Sequence, residues 1–333
     1  MREGSGCPAA GAWRLALVEP GQEDEAMPRD LVVVGAPTSA GSYAPGQEAA
    51  ARVLRDLGLI DRLRAAGRQV RDAGDGPVQV WSPDRGDPFA QNLSAVVQSV
   101  VAVADQVTDA LAADADVLVL GGNCTIALGV MSALTAHDSD AGLLYVDRHF
   151  DLNTPQSTTD GALDWMGLAH ALDLPDATEP LVSALSRQPL LTPDRLYFLG
   201  VEHAAATDWE REQVERLGLR WCSSAGLAAA PSAQAERALD SLPAAALAVH
   251  LDVDVLDFTD APLAESTDGR NSGPSLDRLS AALRIVCRDP RFRVLSIGEL
   301  NPARAAGHPE TLDRFVGCIR NALRPVPPTR HLS

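Results

Sequence analysis

The sequence contains no lysine, so all 28 of its basic residues are arginines. Schiff-base chemistry and a lysine nucleophile are therefore excluded. Acidic residues outnumber basic ones and give a formal net charge of −17, so we expect neither a nucleic acid nor an anionic membrane as partner. Aromatic residues make up only 4% of the chain, which argues against platforms for stacking bases. A small cationic substrate fits this composition better.

Other common signals are also missing. The first 28 residues lack a basic segment followed by an apolar one, so we expect no signal peptide and a cytoplasmic protein. No uninterrupted run of about 18 apolar residues occurs, which argues against a membrane span. The cysteines show no paired spacing, which indicates reduced thiols rather than disulfides. They are Cys7, Cys124, Cys222, Cys287 and Cys318.

Short β-branched runs alternate with longer helical segments along the chain. The predicted strands span residues 30–37, 116–122, 142–147, 195–202, 246–254 and 292–300, and the clearest helices span 46–67, 94–114, 125–137 and 164–174. This alternation predicts an α/β fold whose mostly parallel sheet is covered on both faces. No repeat or long linker divides the chain. We therefore expect one domain over 29–325, with flexible tails at 1–28 and 326–333.

The segment LLYVDRHFDLNTP (143–155) places three polar residues at every second position where an apolar strand ends. Alternate residues share one face of a strand, so Asp147, His149 and Asp151 are expected to project together. Ligands bind beyond the carboxyl ends of the strands in open α/β sheets, which is where this trio would lie. The simpler interpretation is a polar loop after a buried strand.

Two further strand ends carry the same kind of residue. AVHLDVDVLD delivers Asp252 and Asp254, and DVLVLGGNCT ends in two glycines followed by Cys124. Carboxylate, imidazole and thiolate groups are all metal ligands. Three strand ends with this chemistry predict a site for two metal ions.

These motifs resemble those of the arginase and agmatinase (ureohydrolase) family over about residues 30–325. VVVGAPTSAGSYAPGQEAAARVLRDLGL resembles the opening strand, glycine-rich loop and helix of that family, and GGNCT lies where the family has Gly-Gly-Asp-His-Ser. VDRHFDLNTP matches Asp-Ala-His-x-Asp, HLDVDVLD matches the Asp-x-Asp strand, and SIGELNPA resembles the last strand with its Glu299. The motifs follow one another in the family's order.

The resemblance implies a three-layer α/β/α fold with a binuclear manganese centre, in which a metal-bridging hydroxide attacks a guanidinium carbon. It also implies a hydrolase of C–N bonds in linear amidines that assembles as a trimer or hexamer. By the same resemblance, Asp151 and one of Asp252 and Asp254 bridge the ions, and Glu299 contacts the guanidinium group. The remaining metal ligands implied are Cys124, Asp147 and His149.

The chain departs from the family at the first metal motif, because Cys124 replaces a histidine and Asn123 replaces an aspartate. Four carboxylates and one thiolate would carry five negative charges against four positive charges on two divalent ions. Sulfur also favours zinc, iron or cobalt over manganese. Some family members that hydrolyse N-hydroxylated arginine tolerate a cysteine here. The alternative is an inert buried cysteine.

The loop NTPQSTTDGALDWMGLAH (153–170) parallels the family's substrate loop. Asn153 matches an asparagine that contacts the substrate carboxylate, but Asp160 replaces a serine and Asp164 replaces a proton-shuttling histidine. An aspartate beside an α-carboxylate repels it, which makes plain arginine a poor candidate substrate. LGVEHAAA likewise has Glu202 and His203 in place of the paired acids that hold an α-amine.

Three residues are candidate proton carriers: Asp164, His203 and His170. Asp164 could act only if burial or the neighbouring Trp165 raised its pKa. Trp165 and Met166 are candidate walls of a pocket for an apolar or bulky substrate, although such residues are more often part of the core.

The leading hypothesis is a metal-dependent hydrolase that cleaves a C–N bond of a guanidino or amidino compound, with N-hydroxyguanidines included. A second hypothesis is a metal-binding relative that has lost catalysis, marked by Asn123, Cys124 and Asp164. A third keeps the metal cage but performs a different C–N reaction in specialised metabolism. Metal stoichiometry and product analysis distinguish these three.

Overall fold

The computed structural model describes residues 29–265 and 272–325, and its centre is one sheet of eight parallel strands. The predicted tails at 1–28 and 326–333 lie outside the described residues. The strands are β1 (Leu31–Gly35), β2 (Val70–Asp75), β3 (Asp116–Leu120), β4 (Ala141–Val146), β5 (Leu196–Val201), β6 (Arg220–Ser223), β7 (Ala246–Asp252) and β8 (Phe292–Gly298). Their order across the sheet is β2-β1-β3-β8-β7-β4-β5-β6.

Helices cover both faces of this sheet. They are α1 (Ala50–Asp56), α2 (Leu59–Ala65), α3 (Leu93–Ala112), α4 (Ile126–His137), α5 (Gly167–Ala171), α6 (Glu179–Ser183), α7 (Asp208–Leu217), α8 (Ser224–Ala229), α9 (Pro231–Ser241), α10 (Leu276–Val286) and α11 (Pro309–Ala322). The predicted three-layer α/β/α architecture is confirmed.

The core has two halves because alternate strand residues point to opposite faces. On β1, Leu31 and Val33 pack with α1, α2 and α8 to α11, whereas Val32 and Val34 pack with α3 to α7. Each central strand is therefore buried on both sides, and its sequence is a continuous run of apolar residues.

The sequence missed two strands, β2 and β6, and both form the edges of the sheet. VRDAGD and RWCS are polar or short, and β2 is almost fully exposed. An edge strand has one free side and little apolar surface, so it carries no strong periodic signal.

The prediction of one continuous helix over 46–67 is wrong, because the structure divides this segment into α1 and α2. The break falls at Gly58, whose φ of 77° is left-handed and is adopted at little cost only by glycine. The helix predicted over 164–174 is likewise a 3-10 turn at Asp164–Met166 followed by the short α5.

Among the described helices, Leu93–Ala112 is long and apolar enough to cross a membrane by length and composition alone. It carries Asp105 and Asp109, and one face, which includes Val96, Val100 and Val103, is buried in the core against α4 and the sheet. A core helix of a globular protein passes the same test of length and apolarity, so this helix is weak support for a membrane span.

Close contact between α3 and α4 depends on Gly129. A methyl group at this position would lie 2.5 Å from the backbone oxygen of Val100. We expect Gly129→Ala to lower the free energy of unfolding by about 1–3 kcal/mol, because an overpacked interface forces the helices apart. Denaturant unfolding measures the change.

Gly317, in α11, provides the matched control. A methyl group there would meet no atom within 4 Å. Since alanine is the better helix former, Gly317→Ala should stabilise the protein by about 0.5–1 kcal/mol. Equal effects at the two glycines would show that α3 and α4 do not pack as closely as described.

Candidate metal centre

Four neighbouring strands in the middle of the sheet, β3, β8, β7 and β4, end at one place. Their carboxyl ends deliver Cys124, Glu299, Asp252 and the segment that starts at Asp147. Gly122 makes this convergence possible after β3: its φ is 99°, and a side chain there would lie 2.8 Å from the backbone oxygen of Ala36.

All six predicted metal ligands lie together in two groups of donor atoms. Within each group, the atoms lie within 4.8 Å of one another. One group is Asp147, His149, Asp252 and Asp254, and the other is Cys124, Asp147 and Asp151. Asp147 belongs to both groups and Asp151 to only one. Asp147 is thus the carboxylate common to both groups, whereas the resemblance implied that place for Asp151.

Short-range hydrogen bonds orient these carboxylates. The backbone amide of His149 donates to Asp147 Oδ1 at 2.6 Å, and that of Asp254 donates to Asp252 Oδ1 at 2.7 Å. His149 Nδ1 lies 3.1 Å from Asp254 Oδ2. Burial lowers the pKa of His149, but the surrounding carboxylates, Asp254 foremost, raise it to about 9.

The cluster is short of positive charge. Burial, and then repulsion from neighbouring acids, raises the pKa values of Asp147, Asp151 and Asp252 well above their usual range. Asp147 Oδ2 is fully buried and has no hydrogen-bond partner among the described residues. A buried carboxylate oxygen without a donor, within a group of oxygen, nitrogen and sulfur ligands, fits a bound divalent cation.

Cys124 lies at the floor of the site with its sulfur 3.1 Å from Asp252 Oδ2. Its backbone amide donates to Glu299 Oε1 at 3.0 Å. Burial raises the pKa of the thiol, and Asp252 and Glu299 raise it further. Such a thiol is a poor nucleophile by itself, whereas a bound metal ion would deprotonate it. The surroundings therefore favour a ligand role over a nucleophilic one.

His250 was not predicted as a site residue, yet its Nε2 lies 3.2 Å from Cys124 Sγ. Its Nδ1 lies 2.9 Å from Ser296 Oγ, and its ring stacks on Tyr145 with centroids 4.9 Å apart. Burial lowers the pKa of His250 to about 3, so the ring is neutral. The sequence did hold a signal, because His250 precedes Asp252 by two positions and shares its face of β7.

Gly298, at the end of β8, leaves room for this pair. A methyl group there would lie 2.9 Å from the His250 ring and 3.2 Å from Cys124 Sγ. Tyr145, the other partner of His250, donates a hydrogen bond to Asp151. A layer of side chains thus supports the donor atoms from below, as is usual around metal sites.

Glu299 and Asp151 both adopt left-handed backbone conformations, with φ values of 60° and 51°. Such conformations are uncommon for residues other than glycine and cluster at functional sites. Glu299 Oε2 accepts a hydrogen bond from Gln47 Nε2 at 3.0 Å, which holds the carboxylate at the wall of the cavity. No motif in the sequence pointed to Gln47.

A cavity of about 310 Å³ opens above the donor groups. Asp160, Asp164 and Trp165 line it, as expected of a substrate loop. Burial raises the pKa of Asp164 to about 7, which satisfies the condition set for a proton carrier. The lining residues are Tyr43, Cys124, His149, Asp151, Asp160, Ala162, Asp164, Trp165, Ala205, Asp252, Asp254 and Glu299.

Three other candidates do not reach this cavity. Asn153 is buried, and its Oδ1 accepts hydrogen bonds from Ser157 and Thr207 within the loop region. His203 stacks on Trp221. His170 bonds to the carbonyl of Met166 and the amide of Thr178 within its own segment.

The remaining residues of the predicted substrate region lie apart from the cavity lining. Glu202 is half-buried, and its amide donates to the carbonyl of Arg148 at 2.8 Å. Met166 is fully buried in the core, in keeping with the simpler interpretation of that residue. Of the residues predicted for the substrate loop, Asp160, Asp164 and Trp165 therefore line the cavity.

Comparison with known proteins agrees with this geometry. The model of the arginase family matches residues 29–322. Arginase from Bacillus subtilis (strain 168) is 28% identical over 238 residues, which span 71% of this chain and 79% of that protein.

Two solved structures share the fold. Native arginase from Bacillus caldovelox has a TM-score of 0.79 at 21% identity, with 90% of this chain and 99% of that chain covered. Formimidoylglutamase from Bacillus subtilis has a TM-score of 0.67 at 15% identity, with 90% and 88% covered. Because the family model spans most of the sequence and the fold agrees, the chain belongs to the arginase (ureohydrolase) family.

Proposed function

We propose that the protein is a metal-dependent hydrolase that cleaves a C–N bond of a guanidino or amidino compound other than plain arginine. One observation carries this proposal: two donor groups that share Asp147 lie at the floor of a cavity whose wall presents Glu299. The names of the relatives, arginase and formimidoylglutamase, support a hydrolase of this kind.

Cys124, Asp147 and Asp151 would hold one metal ion, and Asp147, His149, Asp252 and Asp254 would hold the other. Two divalent ions, when bound, supply a hydroxide near neutral pH and polarise the electrophile. Manganese is the family's expected metal, and the sulfur of Cys124 favours zinc, iron or cobalt.

Glu299 is placed to bind and orient the planar cation. Its carboxylate is held by Gln47 and by the amide of Cys124, so it has little freedom to turn. A fixed carboxylate that faces a guanidinium group forms a strong charge-assisted pair. The same contact holds the reactive carbon of the substrate above the donor groups.

The mouth of the cavity selects against a free α-carboxylate. Tyr43, Asp160 and Trp165 lie there, and none of the residues that line the cavity is an arginine. Asp160 would repel an anionic group, and the lining residues include no arginine to offset that repulsion. The preferred substrate therefore carries a neutral or cationic group at the end away from the guanidine.

Asp164 is the proton carrier that the geometry favours. Its backbone amide donates to the carbonyl of Gly41 at 2.9 Å, and its Oδ1 accepts from the amide of Trp165 at 3.0 Å. These contacts fix the carboxyl at the cavity wall. A carboxyl with a pKa of about 7 is protonated or ionised with similar ease at neutral pH, as proton transfer to a leaving amine requires.

Without metal, the stability of the protein should fall as the pH rises, and metal binding should counter this fall. The site carboxyls have raised pKa values in the folded state, so the metal-free folded protein retains protons that the unfolded chain releases. This contribution is present at low pH and is lost as the pH rises through the folded values, by about 1.4 kcal/mol per proton and pH unit. We expect the Tm of metal-free protein to fall from pH 6 to pH 8. Added divalent metal should raise Tm more at pH 8.

Differential scanning calorimetry with Mn, Zn, Co or Fe measures both effects, and Asp252→Asn should make the slope with pH smaller. A metal-free protein that gains stability from pH 6 to pH 8, with no response to any metal, would contradict the metal centre.

Substrate choice is tested by urea or amine release from arginine, N-hydroxyarginine, agmatine, guanidinobutyrate and larger guanidines with each metal. We expect kcat/KM for agmatine to exceed that for arginine by about tenfold or more, because Asp160 repels the carboxylate. Asp160→Asn should reduce this preference by about the same factor.

Glu299→Gln is the inactive control, and it should bind metal but lose activity on every compound. Metal uptake without turnover across the whole panel would favour a silent relative. A product that contains neither urea nor a released amine would favour a different C–N reaction.

Asp164→Asn should lower kcat by about 10²-fold, with metal stoichiometry and KM little changed, because the amide cannot carry a proton. Imidazole in the buffer should restore part of the rate in this variant alone, since it supplies an acid of similar pKa. A variant with unchanged kcat would exclude Asp164 from proton transfer.

A further inference from the structure

Arg148 is a buried cation that the proposed chemistry does not use. It lies between two metal ligands, Asp147 and His149, where the family motif Asp-Ala-His has alanine. Its exposed fraction is 4%, and its Nε and Nη2 atoms are fully buried without a hydrogen-bond partner among the described residues. An unpaired guanidinium group in a protein interior is costly, so its presence requires a compensating interaction.

The side chain of Arg148 lies behind the metal centre. His149 lines the substrate cavity, whereas Arg148 does not. Arg148 lines a narrow second cleft with Asp254, a predicted ligand that also lines the substrate cavity. Asp254 is thus a lining residue common to the substrate cavity and the second cleft.

The field of the acidic cluster supplies the compensating interaction. Arg148 follows Asp147 in the chain and shares the second cleft with Asp254, so carboxylates of the metal centre are its neighbours. Among the described residues that line either of the two cavities, Arg148 is the one with a permanent positive charge. Arginine remains protonated even when buried, so this charge is fixed.

Two departures from the family motifs then have opposite electrical effects. Cys124 in place of a neutral histidine adds one negative charge when its sulfur binds metal as a thiolate. Arg148 in place of alanine adds one positive charge. With both present, five negative ligand charges face four charges on the two ions and one on the guanidinium group.

We propose that Arg148 is a positioning residue that offsets the extra negative charge of the metal-bound Cys124 sulfur. This inference rests on the proposed metal centre. The guanidinium group acts through its charge on the buried ligands and does not touch the substrate. Its effect on metal binding must then depend on whether residue 124 contributes a charged sulfur or a neutral nitrogen.

A double-mutant cycle on metal affinity tests this dependence. The four proteins are the wild type, Arg148→Met, Cys124→His and the double variant, each stripped with chelator and titrated with Co²⁺ alone by calorimetry. We expect Arg148→Met to weaken Co²⁺ binding about tenfold more in the wild-type background than in the Cys124→His background. A tenfold coupling corresponds to about 1.4 kcal/mol.

The charge-retaining variant Arg148→Lys provides the matched control and should bind Co²⁺ much as the wild type does. Where Arg148→Met does not fold, Arg148→Gln replaces it as the neutral variant in the cycle. The same loss of affinity in both backgrounds, or none in either, would overturn the proposal while leaving the metal centre intact. A wild-type protein that binds no Co²⁺ would overturn both.

Discussion

The structure depends on one constraint, which is the repulsion among acidic groups gathered where water is excluded. Asp147, Asp151, Asp252 and Glu299 are all buried at the end of the sheet, and each has a raised pKa. Burial and like charge both oppose ionisation, so the ionised cluster is stable only beside positive charge. The rigid sheet holds the acids together, and divalent cations are the partners that best relieve their repulsion.

This constraint also accounts for the surroundings of Cys124. A thiol in an acidic, buried setting stays protonated and inert unless a metal ion binds it. His250 lies against its sulfur with a neutral ring, and Gly298 leaves the space that both side chains need. The cysteine is thus enclosed by a supporting layer of side chains, and Arg148 lines a separate cleft together with Asp254 of the acidic cluster.

The floor and the mouth of the cavity are built differently. Strand ends form the floor and fix its donor atoms, because the sheet is the most rigid part of the fold. The mouth consists of loop residues such as Tyr43, Asp160 and Trp165, which vary without disturbing the sheet. Beside the strand ends the chain departs from the family's motifs at Asn123, Cys124 and Arg148, and in the substrate loop it departs at Asp160 and Asp164. A fold that combines a fixed reactive floor with a variable mouth accommodates different substrates around one chemistry.

The sequence by itself determined which donors are available and where the central strands end. Spacing of two residues is a local property of a strand, so Asp147, His149 and Asp151, or Asp252 and Asp254, are predictable from periodicity alone. Only the tertiary structure decided that β3, β8, β7 and β4 are neighbours, that Asp147 is shared, and that Asn153 and His203 turn away from the cavity. Strand order and burial arise from packing between segments that are distant in the chain. The raised pKa values of the acids and the lack of a hydrogen-bond partner for Arg148 follow from that burial, so no local sequence pattern predicts them.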